Sequence, residues 1–464
     1  MSGSMIVVLD VGKTAAKVTL WAADGKLVRR EVRPNARQTC EHYACLDILG
    51  IEAWLADVFT LYARLGHIGA IIPVAHGAAA AIVRGGQLAA PVMDYESSPP
   101  AAVRKAYLEQ CDDFAETGSP PMGMALNLGL QLHWIAQCYR DALAGDAQIV
   151  PWPQYWAWLL SGVAASEVTS LGSHTDLWAP GRNAPSAMAV RRGWAQHLAP
   201  LRAAHEALGP LTPEWAARTG LARDTLVHVG LHDSNAALCA ARAYPEFAAS
   251  DATLVSTGTW FVSMRSLANN SAAPTLPANR GCLFNVDVRG CPAPTALFMG
   301  GREAEMLSHA ALDQPDAQSL LLRRVAACVE TGAMILPTMA PGTGPFPDAV
   351  GTWINEPSDE ATRSGAICLY LALMTDVALE LIGAEGAALV EGRFAKVDAM
   401  MQALAALRPN MAIYASSGES DVSLGALRLL RSDLAPASAL QRIEPLDIEL
   451  ADYKARWRAA ISAR

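Results

Sequence analysis

The sequence predicts an α/β protein of two domains, each a mixed sheet flanked by helices. Three observations carry this. At 464 residues the chain exceeds what one ordinary hydrophobic core serves. A strand–turn–strand unit opens the chain and a similar one recurs about half a chain later. Between the two, strand-like and helix-like segments alternate.

The first unit starts with the apolar run Ile6-Val7-Val8-Leu9, followed by Asp10-Val11-Gly12-Lys13-Thr14. Lys17 to Trp21 alternates polar and apolar, and Asp24-Gly25 supplies a hairpin turn before Leu27-Val28. Gly12-Lys13-Thr14 invites a P-loop reading. That motif needs a glycine where Val7 stands and a helix after the Lys-Thr pair, and here an alternating strand follows. The P-loop reading is rejected. The second unit runs Thr253-Leu254-Val255, then Ser256-Thr257-Gly258-Thr259, then Trp260 to Ser263. Each unit offers a small Gly-Thr turn suited to gripping phosphate, so two related domains are expected.

Ile68 to Val74 reads as a buried strand whose end is weakened by Pro73, and Thr225 to Val229 as another. Glu52 to Leu65 reads as a helix with Leu55, Val58, Phe59 and Tyr62 on one face. Pro99-Pro100, Pro120-Pro121 and Pro337 to Pro347 mark loops. The boundary falls near Tyr244-Pro245, which gives domains 1–244 and 245–464. Ile448 to Ile461 reads as a closing amphipathic helix.

Composition narrows the function classes. Hydrophobic residues at 52% and charged residues at 17% describe a core-rich globular chain. The formal net charge is -9 and there is no basic stripe, which argues against a nucleic-acid partner. Nine cysteines without a Cys-x-x-Cys pair suggest mostly buried thiols in a reduced, cytoplasmic setting. Met1 to Ser4 reads as a cloning remnant before a native start at Met5, with no signal pattern. The most apolar stretch, Ala366 to Ala384, carries Asp376 and Glu380, so a buried helix is expected and no membrane span. A Gly-x-Ser-x-Gly elbow is absent, His205-Glu206 lacks the second zincin histidine, and the histidines have no zinc spacing. Hydrolase and zinc-enzyme readings fall with them.

Leu9 to Lys17 resembles the first phosphate motif of the FGGY carbohydrate kinases, members of the actin, hexokinase and heat-shock ATPase superfamily. Gly230-Leu231-His232-Asp233 resembles the family's Gly-x-His-Asp segment, and Ser256 to Trp260 its second phosphate motif. Gln131 to Trp134, Pro151 through Gly162 and Glu167 to Ser170 fit the middle of the family in order. The resemblance implies two ribonuclease-H-like domains with a cleft between them. It implies phosphorylation of a small ketose by ATP and Mg²⁺, with the sugar mainly on the N-terminal domain and the nucleotide mainly on the C-terminal one. L-fuculose or L-rhamnulose is favoured, with xylulose and ribulose as alternatives. Sugar and ATP are then the partners, and a homodimer is left open. The rival is a non-catalytic nucleotide- or sugar-binding regulator on the same fold.

Phosphoryl transfer asks a protein mainly for positioning and charge stabilisation, with a carboxylate beside the attacking hydroxyl. Asp233 follows a strand and a glycine turn at the expected domain junction, and is the candidate base. The plainer reading is a cap for a helix starting at Ser234. Asp10 ends a buried strand and suits Mg²⁺ held through water, against an ordinary turn aspartate. Thr14 and Thr259 can donate to phosphate oxygens, and Gly12 and Gly258 let backbone approach them. Lys13 departs from the family's small or hydroxyl residue. It either reaches the γ-phosphate as a point charge or is a solvated turn lysine. Lys17 matches a Lys/Arg position. His76, Asp94, Glu96 and His232 are the sugar-side candidates. On the adenosine side stand Gly300-Gly301, Gly392 within Leu389 to Phe394, Gly418 within Ser416 to Glu419, and Ser423 to Ala426. Trp152, Trp156 and Trp158 are read as packing before they are read as a sugar wall.

Overall fold

A computed structural model describes residues 3–248, 250–268, 271–308, 312–416 and 422–464. The chain divides into two compact units. One comprises Met1–Ala240, Phe284–Pro292 and Asp421–Ala435, and the other Ala241–Leu283, Ala293–Ser420 and Pro436–Arg464. The chain leaves the first unit within the helix Asp233–Ala241 and twice returns to it.

The sheet of the first unit is built outward from β1 (Met5–Val11). β2 (Ala15–Trp21) pairs with it antiparallel, and β3 (Leu27–Pro34) pairs antiparallel with β2 at the edge. A short hairpin of β4 (Arg37–Thr39) and β5 (Ala44–Leu46) leads into α1 (Ile48–Ala63), whose first turn is capped by Asp47 accepting from the Gly50 amide. The chain then returns as β6 (Ile68–Ala75), parallel to β1. Leu226–His228 lies parallel to β6, and Ala207–Pro210 closes the far edge antiparallel. The apolar run of β1 is explained by burial on both faces. Val7, Leu9 and Val11 join α1 and the helix Trp152–Ser161 in one core, while Ile6 and Val8 join Ile72, Val74, Ala236 and Ala426 in another.

Pro73 does not end β6. It sits inside the strand opposite Leu9 and forces an irregularity in the neighbouring strand. Val227 pairs with Ile71 and Leu231 with Val74, so three residues on one side span two on the other. Proline has no amide hydrogen to offer a ladder, and the extra residue is taken up as a bulge at Gly230. Gly230 has φ +75°, and a Cβ there would stand 1.9 Å from the Pro73 carbonyl oxygen. The buried backbone polar groups of the bulge find partners. Gln154 Nε2 donates to Gly230 O at 3.1 Å, and the Val229 and Gly230 amides donate to Glu206 O and Ala204 O, each at 3.0 Å. Beyond the bulge, Leu231–His232 pairs with Val74–Ala75 and delivers Asp233 at the head of the following helix.

The second unit repeats this plan. Ala252–Thr257 and Phe261–Ser266 form the opening hairpin, and Pro292–Phe298 extends it antiparallel. Ala387–Gly392 is parallel to Ala252–Thr257, Ala412–Ser416 is parallel to Ala387–Gly392, and Leu440–Arg442 ends the sheet antiparallel. Cys282–Val286 adds a strand beyond Pro292–Phe298. The recurrence of the strand–turn–strand unit in the sequence therefore corresponds to two sheets of one topology, the ribonuclease-H-like arrangement of the actin and hexokinase fold.

Two other readings meet the structure here. The apolar stretch lies in the helix Glu360–Leu381, long and apolar enough to cross a membrane, but its most apolar part is 89% buried inside the protein. Its Asp376 is held by Arg408 Nε at 2.9 Å and Lys454 Nζ at 2.7 Å, the latter from the closing helix Ala451–Ser462. The cysteines differ from expectation in one pair. Cys40, just past β4, and Cys45, within β5, form a disulfide across the hairpin with Cα atoms 6.0 Å apart. Cys282, Cys328 and Cys368 are buried thiols, while Cys111, Cys138, Cys239 and Cys291 are partly exposed.

Candidate active site

In the first unit, strand pairing brings together the sequence-predicted polar residues. Asp10 and Lys17 face each other across the β1–β2 ladder, and Lys17 Nζ stands 3.7 Å from Asp10 Oδ2. Asp10 is buried, at 7% exposure. The turn between the strands is tight. The Gly12 amide donates to Ala15 O at 3.0 Å, and Asn35, just past β3, donates its side-chain amide to Gly12 O at 2.8 Å and its backbone amide to Thr14 O at 2.8 Å. Thr14 is exposed at the tip.

Lys13 is not a solvated turn lysine. Its side chain is 18% exposed, and its ammonium lies 2.5 Å from Asp94 Oδ2, 3.5 Å from Glu96 Oε2 and 5.1 Å from the centre of the Tyr95 ring. Asp94 is fully buried. Its Oδ1 accepts from the Glu96 amide at 2.9 Å, and Arg37 Nε stands 3.6 Å from its Oδ2. The loop Asp94–Glu96 is fixed to β5 by the Asp94 amide donating to Ala44 O.

His76 follows β6 and borders a cavity of about 240 Å³ in the first unit, together with Gly12, Lys13, Asn35, Glu96 and Trp152. The His76 ring is buried, and neither of its nitrogens, nor Trp152 Nε1, makes a hydrogen bond within the protein. Burial, with the Lys13 charge and two neighbouring histidines, pushes its pKa down to about 3. It is thus a neutral ring at pH 7, able to donate from one nitrogen and accept at the other. Trp152 stacks on Tyr155, with centroids 5.3 Å apart and planes at 10°. Trp156 is fully buried, so packing accounts for it, whereas Trp152 both packs and lines the cavity.

His232 and Asp233 come from the bulged strand. Glu167, fully buried, accepts from Thr169 Oγ1 at 2.5 Å, and Thr169 Oγ1 in turn accepts from the His232 amide at 3.0 Å. Burial raises Glu167 to about 7 and lowers His232 to about 4. His232 Nε2 lies 3.1 Å from Asp233 Oδ1, and with the ring neutral this is a hydrogen-bond contact rather than an ion pair. Asp233 Oδ1 also accepts from the Ser234 amide at 2.6 Å. The carboxyl is 30% exposed but sits deep enough that desolvation pushes its pKa up to about 6, against these hydrogen bonds and the Lys17 charge. It both heads the helix and keeps a water-accessible oxygen. The helix starts at Asp233 and not at Ser234, and the Ser234 amide is an adjacent-residue contact rather than a capping bond to the second or third helical amide.

The second unit gathers its own glycine turn. The Gly258 amide donates to Trp260 O at 3.0 Å, and Gly258 and Thr259 are exposed at the tip. Gly300 and Gly301 open the helix Gly300–Leu307 hard against this turn. A Cβ on Gly301 would lie 2.1 Å from Gly258 O, and one on Gly300 2.7 Å from the Phe261 ring. Gly392 has φ +88° and would place a Cβ 2.3 Å from Thr257 O. Gly418 lies outside the described residues. Ser423 to Ala426 belongs to the first unit, where Ser423 Oγ accepts from Thr19 Oγ1 at 3.0 Å and Gly425 permits close contact with Ala236 O.

Sequence reasoning missed Asn35, Arg37 and His174. His174 has φ +41°, unusual for a residue with a Cβ, and its Nδ1 lies 3.0 Å from Leu126 O. Burial lowers it to about 4, and it is one of the two rings that lower His76 further. Only the Asn at a strand end near the turn, a frequent bracing residue, gave a local signal.

A model of the carbohydrate kinase FGGY C-terminal domain matches residues 249–438. The crystal structure of a carbohydrate kinase from Novosphingobium aromaticivorans is 47% identical, with TM-score 0.94, and the match covers 100% of this chain and 99% of that one. A xylulose kinase from Rhodospirillum rubrum (19% identity, TM-score 0.78, 99% and 98% covered) and a gluconate kinase from Lactobacillus acidophilus (15%, 0.80, 100% and 98%) share the fold. No curated protein matches the chain.

Proposed function

The chain belongs to the FGGY carbohydrate kinases, and from that premise we propose that it transfers the γ-phosphate of ATP to a small uncharged ketose with Asp233 as the base. Sugar kinases of this family use ATP, and the enzyme is a phosphotransferase acting on a carbohydrate. The observation that carries the finer reading is Asp233 itself. A carboxylate raised to about 6 is ionised at pH 7 yet basic enough to take a proton from an attacking hydroxyl. The neutral His232 beside it steadies the carboxylate without adding a competing positive charge.

The cavity supports the sugar class. His76 and Trp152 offer unpartnered, neutral hydrogen-bonding groups, which suit hydroxyls. Its cations are already matched, with Lys13 and Arg37 both facing Asp94. That favours an uncharged acceptor over a sugar acid. The Asp10 to Thr14 turn and the Asp94 to Glu96 loop resemble those of the fuculose and rhamnulose kinase branch, and that resemblance favours L-fuculose or L-rhamnulose. Xylulose is the second reading, supported by the shared fold of a xylulose kinase.

For Mg²⁺, the donor chemistry fits at Asp10: a hard, buried carboxylate beside the phosphate-type turn, suited to holding the ion through water. When bound, the ion would neutralise charge on the phosphates. Gly12, Thr14, Gly258 and Thr259 would supply backbone and hydroxyl donors to phosphate oxygens, and Lys17 would keep Asp10 in place.

The test is ADP release by the purified protein with ATP and Mg²⁺ across L-fuculose, L-rhamnulose, xylulose, ribulose and gluconate. Strong stimulation by one ketose supports the reading. Stimulation by gluconate alone removes the uncharged-acceptor part, and a flat panel with nucleotide binding intact favours a regulator.

A further inference from the structure

Lys13 belongs by its backbone to the phosphate-type turn and by its ammonium to the acceptor loop. We propose that Lys13 is a positioning residue that couples the two: Asp94 and Glu96 hold it until an acceptor engages that loop, and it then turns to the terminal phosphate of ATP. This rests on the kinase reading above.

Four observations support the switch. First, the turn is braced independently of the contacts that hold the Lys13 side chain. Asn35 braces Gly12 O and the Thr14 carbonyl, so the Lys13 backbone stays put while a four-carbon stem can re-aim the charge. Second, Asp94 does not depend on Lys13 alone. Arg37 Nε at 3.6 Å and the Glu96 amide at 2.9 Å remain when Lys13 departs, so release does not strand a buried carboxylate. Third, Lys13 and Glu96 line the same cavity as the unpartnered His76 ring. An acceptor hydroxyl bound there meets Lys13 itself and Glu96, one of the two carboxylates that hold it. Fourth, Lys13 faces two carboxylates and the Tyr95 ring at once, an arrangement that holds the ammonium away from the turn tip. The consequence is economy of ATP. Before an acceptor arrives, the γ-phosphate lacks one of its cations, and attack by water is disfavoured.

The test uses full-length protein and needs no identified sugar. Binding of β,γ-imido-ATP and of ADP is measured by calorimetry for the wild type, Asp94→Asn, Lys13→Met and the double variant. Asp94→Asn frees Lys13, so affinity for β,γ-imido-ATP should rise about tenfold while ADP, which lacks the terminal phosphate, changes less than about twofold. Adding Lys13→Met should erase the gain. Acceptor-free ATP hydrolysis should follow the same order. Should Asp94→Asn fail to fold, Glu96→Gln, at a half-exposed position, should shift the analogue about threefold in the same direction. A gain that persists without Lys13, equal shifts for analogue and ADP, or no shift in either variant overturns the proposal. If the wild type transfers phosphate to a sugar and these shifts are missing, only the coupling falls. If the wild type phosphorylates no ketose in the panel but these shifts appear, the ketose reading falls and the coupling of Lys13 to the phosphate stands.

Discussion

Asp233 combines three properties in one carboxyl: a place at the head of a helix, a partly exposed side chain and a pKa raised to about 6 by desolvation. A base must be ionised to work. The rate of transfer at low acceptor concentration should therefore climb about tenfold per pH unit below about 6 and level off above it. Asp233→Asn should lower kcat by roughly 10²- to 10⁴-fold with nucleotide affinity kept. The same substitution has a predictable sign on stability. The folded pKa of about 6 lies above that of a free aspartate, so ionisation disfavours the folded state; the penalty is complete above about pH 6 and disappears as pH falls toward 4. Thermal melts should show Asp233→Asn stabilised over the wild type at pH 8 and indistinguishable from it near pH 4. Asp10 and Asp233 were legible in the sequence because each ends a strand beside a glycine turn, a pattern contained within a few residues. The partner of Lys13 was not, since Asp94 lies far along the chain and meets it only after β5 and β6 fold.

At the scale of elements, the decisive feature is the bulge opposite Pro73. The sequence showed a proline in a strand and a glycine before His-Asp, but not that the two would lie side by side. Their meeting depends on a parallel pairing that local pattern does not encode. Gly230→Ala places a methyl group on the Pro73 carbonyl and forces a side chain into positive φ. We expect a loss of roughly 2 kcal/mol or more in urea unfolding and a fall in kcat as His232 and Asp233 are re-aimed. Other elements taught the opposite lesson. The helix Glu360–Leu381 was legible as buried because Asp376 and Glu380 interrupt it, and Asp376 indeed finds Arg408 and Lys454 in the interior. The Cys40–Cys45 bridge was illegible because the hairpin that creates it is only three residues long on each side.

For the whole molecule, repeated topology explains why two glycine turns were readable from one sequence: each opens a sheet of the same plan. The path of the chain was less readable. The helix Val422–Leu430 covers Ile6, Val8 and Ile72 although it follows them by some four hundred residues, because Gly425 fits against Ala236. A fragment ending at Tyr244 would leave that apolar face uncovered, and we expect it to aggregate or to lack the near-ultraviolet circular dichroism of the full chain. The central claim is that phosphate moves from ATP to a ketose with Asp233 taking the proton. The most direct test follows γ-³²P-labelled ATP with the preferred ketose of the panel, in wild-type and Asp233→Asn protein. The account predicts label in a sugar phosphate for the wild type, and a loss of that transfer by orders of magnitude in the variant. Label appearing only as inorganic phosphate, or equal transfer by both proteins, would contradict it.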